Sequence, residues 1–237
     1  MKIEESRVYL GNCLDLMDEM KPESVDAVIT DPPYGVSFQS NMPVEGFGKD
    51  LIRNDDFKGW EKMLPKMFAH FVEVLRPHGM LAMFCAGGGG TPSLPIAWLK
   101  CADFFEVENV LIWDRLDIGL GWRYRPQWEA IILAFKGGRD DKAWYGPQNR
   151  ANILRQPRII PQAGEHPTPK PIPLIGPLIE DNTKEGELIL DPFCGGGNIL
   201  EACHILKRRW VGMELEPKYH KMSEEKMNAM LAQGSLF

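Results

Sequence analysis

Seven short apolar runs, each closed by turn chemistry, leave this chain few architectures to adopt. They cover residues 8–11, 25–30, 80–85, 107–113, 130–135, 187–190 and 209–213. Runs this short read as strands buried on both faces. Between them lie segments with helical spacing. Over residues 60–75, Trp60, Met63, Leu64, Met67, Phe68, Phe71 and Leu75 fall on one stripe, and Pro77 and Gly79 are expected to stop the helix. Further helices are expected over 92–102, 171–181, 198–206 and 217–231, with one or two helical turns over 13–20. Strands alternating with helices predict an α/β fold, doubly wound around a mostly parallel seven-stranded sheet. Such sheets hold ligands beyond the carboxyl ends of their strands.

The chain has 237 residues, which suits a single domain over 1–237. Two stretches stand apart from the pattern. Residues 35–58 read as a long loop, expected to be mobile and to serve a site. Residues 136–165 show no convincing core element. No apolar run is long enough to span a bilayer, and the opening residues Met1 to Glu5 do not read as a signal peptide, so a cytoplasmic protein is expected. The five cysteines, Cys13, Cys85, Cys101, Cys194 and Cys203, form no C-x-x-C pair. They read as buried reduced thiols rather than a disulfide framework or a metal site.

A net charge of −6 argues against a nucleic-acid binder until its distribution is considered. Residues 121–160 hold eight cations, Arg123, Arg125, Lys136, Arg139, Lys142, Arg150, Arg155 and Arg158, against three acids. A basic segment on an acidic body is compatible with phosphate binding at one face.

Two turns follow strands directly. In A-V-I-T-D-P-P-Y-G-V, Asp31, Pro32, Pro33 and Tyr34 halt an apolar run with a stiffened acidic turn, because proline cannot donate to a ladder. In L-I-L-D-P-F-C-G-G-G-N-I-L, a glycine loop joins a strand to a helix and lets the backbone approach a ligand closely. Its spacing is not G-x-G-x-x-G, which disfavours a dinucleotide site. Glu214, at the end of the next strand, suits the ribose hydroxyls of an adenosine.

These residues together resemble the S-adenosylmethionine-dependent DNA amino-methyltransferases. D-P-P-Y is that family's catalytic tetrapeptide, and D-P-F-C-G-G-G is similar to its cofactor loop. V-Y-L-G-N-C-L-D-L-M, R-Y-R-P-Q-W-E-A-I-I-L-A-F-K and H-P-T-P-K-P resemble further family segments. The catalytic half precedes the cofactor half, as in the β group. Gly196, Asn198, Pro169 and Asn12 depart from the family's commoner residues.

The resemblance implies a Rossmann-like methyltransferase fold, S-adenosylmethionine as cofactor with S-adenosylhomocysteine as product, and no metal. It makes Asp31, Pro32, Pro33 and Tyr34 catalytic: Asp31 and the Pro32 carbonyl accept the two hydrogens of a target amine, and Tyr34 stacks on the base. Asp31 also borders the cofactor. Thr168, Lys170 and the loop Asp191, Pro192, Phe193, Cys194, Gly195, Gly197 and Asn198 would surround its methionine end. Lys170 would meet its carboxylate and Asp191 its ammonium. Asn12, Cys13, Glu214 and Leu215 would border the adenosine. His166 reads as a structural residue where the chain enters a helix. The eight cations would contact double-stranded DNA from which the target base is flipped, with residues 136–165 as a short target-recognition segment. The Asp of D-P-P-Y favours N6 of adenine. Methylation of cytosine N4 or of RNA adenine, and a binding protein on an inactive fold, remain the alternatives. A homodimer, a cognate restriction nuclease and a bacterial, archaeal or phage-infected cell are in keeping with the family.

Overall fold

The computed structural model describes residues 3–35, 57–87, 92–119, 123–162 and 166–234. Of the loop expected over 35–58, residues 36–56 lie outside the described residues, and 57–58 open a helix. The elements run in the order β1 (Arg7–Leu10), α1 (Cys13–Met17), β2 (Val25–Thr30), α2 (Phe57–Val74), β3 (Leu75–Ala86), α3 (Ser93–Ala102) and β4 (Glu106–Asp114). They continue with β5 (Trp128–Phe135), β6 (Ile153–Arg155), α4 (Ile172–Glu180), β7 (Leu188–Asp191), α5 (Asn198–Ile205), β8 (Arg209–Glu214) and α6 (Pro217–Gly234).

The strands form one sheet in the order β1-β8-β7-β2-β3-β5-β4-β6. β5 is antiparallel to both neighbours, β3 and β4. Every other pair is parallel. The sheet is thus α/β and mostly parallel as expected, with eight strands among the described residues where seven were expected. The addition is β6, which pairs with β4 from Ile112–Ile153 to Asp114–Arg155. Three residues at a sheet edge, exposed at both ends, carry too little periodicity to be read.

β3 starts five residues before the apolar run 80–85 that marks it in the sequence. Helix α2 ends at Val74, before Pro77, and Leu75 already pairs with Val25. The next registered pair is Ala27 with Met80, so residues 76–79 bulge out of the ladder. His78 takes a φ of 60° there, and Pro77, which has no N–H to contribute, sits inside the irregular stretch.

Alternation along the strands splits the core into two layers. Leu81, Met83 and Cys85 of β3 face α2 and α3, packing with Leu64, Met67, Phe68 and Phe71. Met80, Ala82 and Phe84 face the opposite layer, with Leu174 and Ile175 of α4, Leu200 of α5 and Met227 of α6. Each large apolar side chain fully buried this way contributes roughly 1.5–3 kcal/mol. Helices cover both faces, which is why the central strands carry runs of consecutive buried residues, Ala27 to Thr30 in β2 and Met80 to Cys85 in β3. Among the described residues no helix is long and apolar enough to cross a membrane.

The packing of α5 on β8 leaves no room at Gly212. A Cβ there would lie 2.5 Å from Leu200 Cδ1 and 3.1 Å from Cys194 Sγ. Gly212→Val should lower stability by about 2–3 kcal/mol, seen as a reduced urea midpoint with an unchanged slope. An unchanged midpoint would show that this helix–sheet contact is looser than described.

Candidate active site

Two parallel neighbours, β2 and β7, bring the two sequence-predicted turns together. Ala27 pairs with Ile189 and Val28 with Leu190, so both strands end at the same edge of the sheet. Thr30 Oγ1 then donates to Asp191 Oδ1 at 2.9 Å, a fully buried bond between residues 161 apart in sequence.

Asp31 follows Thr30 and is engaged at both oxygens. The Tyr34 hydroxyl donates to Oδ1 at 2.5 Å, and Lys170 Nζ donates to Oδ2 at 2.5 Å. Lys170, expected against a cofactor carboxylate, is instead taken up by this chain's own acids: it is only 5 % exposed and also lies 3.4 Å from Glu129 Oε2. The rings of Phe84, Tyr34 and Trp113 surround it at 5.2, 5.6 and 5.9 Å from its nitrogen. Burial alone would lower its pKa; Asp31 and Glu129 outweigh burial and hold it above the ordinary lysine value, so it stays charged. Glu129 Oε2 also accepts from the Tyr34 hydroxyl at 3.1 Å, and its other oxygen lies 3.4 Å from Arg115 Nη1. Burial, reinforced by Asp31 and Glu129, pushes the Tyr34 phenol well above its usual range, so it acts as a neutral donor.

The tetrapeptide is clamped from both sides. Ser93, at the start of α3, donates to the Tyr34 carbonyl at 2.8 Å. Gly35 has a φ of 69°, and a Cβ there would meet the Trp60 ring of α2 at 3.0 Å. Pro32 is buried and Pro33 half-buried.

The second turn is built from backbone amides and acids. Asp191 Oδ1 accepts from Thr30 and from the Phe193 amide at 3.2 Å, while its buried Oδ2 has no partner among the described residues. Burial pushes this carboxyl up to about 8, against the two hydrogen bonds and with help from Asp31 and Glu214. Glu214 accepts from the Gly195 amide at 2.9 Å and the Glu216 amide at 2.8 Å. Burial raises its pKa too, with the amides opposing. Gly195 and Gly197 adopt φ values of 49° and 80°, which L side chains rarely take. Pro192 and Cys194 are buried, Phe193 is half-buried, and Leu215 is exposed at the rim.

The remaining residues expected here divide. Asn12 caps α1, accepting from the Leu14 amide at 3.0 Å, and Gly11 beside it bonds to the Glu214 carbonyl at 2.9 Å. Burial pushes the Cys13 thiol up to about 12, so it is neutral. Asn198 ties the loop to its surroundings, donating to the Lys170 carbonyl at 3.0 Å and accepting from Lys226 at 2.8 Å. Thr168 is exposed. His166 packs over the glycine loop: a Cβ on Gly195 would come within 2.8 Å of its Nε2. Its ring meets Tyr219 edge-on at 4.7 Å, and burial, then nearby lysines, lower its pKa to about 4.

The eight cations are not one face. Lys136 follows β5, whose reversed direction delivers it to the end of the sheet remote from Asp31; it bonds the Leu75 carbonyl at 2.7 Å and Glu23 at 3.1 Å. Arg139 is at that end as well, on Glu108 at 2.7 Å and Asp141 at 3.0 Å, with exposed Lys142 in the adjoining turn. Arg150 makes two bonds, 2.6 and 2.7 Å, to the buried Asp181 beyond α4. That removes Lys136, Arg139 and Arg150 from a common surface with the site. Arg123, Arg125, Arg155 and Arg158 do lie at the end of the sheet where β2 and β7 finish. Arg125 is fixed on the Gly119 carbonyl at 2.6 Å, Arg155 lies 3.7 Å from Asp114, and Arg158 is paired with Asp117 at 2.7 Å. Among the described residues no cluster of His, Cys, Asp and Glu could hold a metal ion.

Sequence reasoning missed Thr30, Ser93, Arg115 and Glu129. For Glu129 there was a signal: it is a lone carboxylate in the apolar strand W-E-A-I-I-L-A-F.

A family model described as DNA methylase, covering both N6 and N4 enzymes by its label, matches residues 25–225. The chain belongs to the DNA methylase family. The Type II methyltransferase M2.DpnII of Streptococcus pneumoniae is 28 % identical to it over 238 residues, covering 90 % of this chain and 86 % of the relative. The DNA adenine methyltransferase YhdJ of Escherichia coli (strain K12) is 22 % identical, covering 95 % and 83 %. Among solved structures, a putative DNA modification methylase from Thermus thermophilus, complexed with S-adenosyl-L-methionine, superposes with a TM-score of 0.71 at 21 % identity over 94 % of this chain and 93 % of that one. At that identity the likeness shows the methyltransferase fold.

The placement of Arg150 makes a prediction that separates stability from DNA binding. Arg150→Ala leaves the buried Asp181 without its partner and should cost about 1–3 kcal/mol of stability. DNA affinity, measured well below the melting temperature, should be unchanged. A variant of normal stability with weakened DNA binding would return Arg150 to the DNA surface.

Proposed function

We propose that this DNA methylase transfers a methyl group from S-adenosylmethionine to the exocyclic N6 amine of an adenine flipped out of double-stranded DNA. The observation that carries the reading is the seating of Asp31 directly beside the Asp191 loop, on adjacent parallel strands joined by the Thr30–Asp191 bond.

The residues of the glycine loop fit the cofactor. Asp191 Oδ2 is a buried acceptor without a partner among the described residues, suited to an ammonium group. Each Glu214 oxygen accepts one amide and retains lone pairs for ribose hydroxyls. The positive-φ glycines keep side chains away from the surface against which an adenosyl group would lie. When bound, S-adenosylmethionine supplies a methyl group on a sulfonium, a strong electrophile.

The chain's own residues deal with the amine. An adenine amine is a poor nucleophile because its lone pair is delocalised into the ring. Asp31 and the Pro32 carbonyl accept its two hydrogens and favour a pyramidal nitrogen. The stiff prolines lose little entropy in holding that shape. The Tyr34 ring offers a stacking face, worth roughly 1–3 kcal/mol per base. Asp31 is also the group to take the proton the amine gives up as the methyl leaves sulfur for nitrogen. The work is positioning and preorganised charge. Arg123, Arg125, Arg155 and Arg158 are the cations at the correct end to meet phosphates around the flipped nucleotide. The type II naming of M2.DpnII supports a restriction–modification setting, in the cytoplasm and with a companion nuclease.

The reading is tested by digesting treated DNA to nucleosides and weighing them. N6-methyladenine is expected, and Asp31→Ala should cut turnover by roughly 2.7–4 kcal/mol or more, about 10²–10³-fold, with cofactor binding retained. Methylated cytosine alone, or equal transfer to RNA, would reject it, and full turnover by Asp31→Ala would remove the role given to that residue.

The Asp191 carboxyl is pushed up to about 8, so it is largely neutral at pH 7. Pairing with an ammonium requires its ionised form, so binding releases a proton below that pH. Cofactor affinity should rise with pH between about 6 and about 8, by up to tenfold per unit. Asp191→Asn should flatten that slope in calorimetric titrations. A slope identical in both chains would show that Asp191 does not meet the ammonium.

A further inference from the structure

Lys170 serves two acids at once. It is a single ammonium, 5 % exposed, with two carboxylates against it: Asp31 Oδ2 at 2.5 Å and Glu129 Oε2 at 3.4 Å. The Tyr34 hydroxyl bridges the same two acids, at 2.5 Å from Asp31 Oδ1 and 3.1 Å from Glu129 Oε2. Asp31 and Glu129 are therefore joined twice, once through a cation and once through a neutral donor. Glu129 is itself fixed from behind, because Arg115 Nη1 lies 3.4 Å from its other oxygen. Arg115 is anchored in turn on the carbonyls of Pro126, at 2.6 Å, and Gln127, at 3.3 Å.

We propose that Glu129 is a positioning residue for Asp31, acting through Lys170 and Tyr34. The inference rests on the reading of Asp31 as acceptor for the target amine. Its physical basis is the sharing of one charge. A lysine paired with Asp31 alone would neutralise the carboxylate that must face positive charge developing on the amine nitrogen. Glu129 draws part of that ammonium to itself and leaves Asp31 more of its own negative charge. It also gives the Tyr34 hydroxyl a second acceptor, so Tyr34 can leave Asp31 for the base without stranding a buried donor. A purely structural counter-ion would need neither the second bridge nor the position facing Asp31. This accounts for a carboxylate in a strand whose next six residues, Ala130 to Phe135, are all buried and apolar.

The test is steady-state kinetics on Glu129→Gln, Glu129→Asp, Lys170→Met and the Gln/Met double variant. Glu129→Gln keeps an oxygen facing Lys170 but removes the charge. It should lower kcat about tenfold or more, with KM for DNA and affinity for S-adenosylhomocysteine within about twofold of wild type. Glu129→Asp, which keeps the charge, should recover part of the loss. With Lys170 absent, Glu129 loses its main route to Asp31, so the double variant should be no slower than Lys170→Met. Wild-type kcat in Glu129→Gln overturns the proposal, and so do losses that multiply in the double variant. So does a Glu129→Asp chain that melts normally yet is no faster than Glu129→Gln. If the wild type methylates no DNA adenine, the functional reading falls and takes this role with it; an active wild type with an indifferent Glu129 removes the positioning role alone.

Discussion

The pairing of β2 with β7 is the contact on which the rest of the molecule's chemistry depends. These strands are separated by most of the chain, and nothing local brings them together. Their parallel ladder places Asp31 and Asp191 at one edge, and the buried Thr30–Asp191 bond locks the two turns to each other. Both strands are packed by helices on each face, so a slip by one residue would exchange the side chains of the two core layers and break their fitted packing.

Burial then decides which groups around that edge carry charge. Lys170 remains an ammonium because two carboxylates compensate its desolvation. Asp191 has no such cation among the described residues and is driven towards its neutral form. The Tyr34 phenol stays a donor, and His166, packed between the glycine loop and Tyr219, is kept neutral. Each state follows from the balance between lost hydration and a specific neighbour. The Asp31 turn is thus engaged at both carboxylate oxygens, whereas the Asp191 turn keeps an acceptor without a partner among the described residues. That division suits a site in which one side must be ready before the substrate arrives and the other gains its partner on binding.

Much of this was legible in the sequence because strands and helices announce themselves by period. The ladders of β2, β7 and β8 lie within a residue or two of the apolar runs, and both turns sit where D-P-P-Y and D-P-F-C-G-G-G place them. Direction in a sheet has no periodic signature; the hint that β5 runs backwards was the lack of a helix between the runs 107–113 and 130–135, since a parallel crossover usually carries one. The same reversal carries Lys136 and Arg139 to the far end, where charge clustered along the chain is dispersed in space. β6 was invisible because three edge residues make no pattern. Glu129 lay in plain view within an apolar strand, but its meaning depends on Lys170 and Asp31, which only the folded sheet brings to it.

The most direct measurement is a crystal structure with S-adenosylhomocysteine bound. The account predicts its sulfur between the Asp31 and Asp191 turns, its amino group on Asp191 Oδ2 and its ribose on Glu214. Density for the ligand away from these turns, at the β6 edge or against the far end of the sheet, would contradict it.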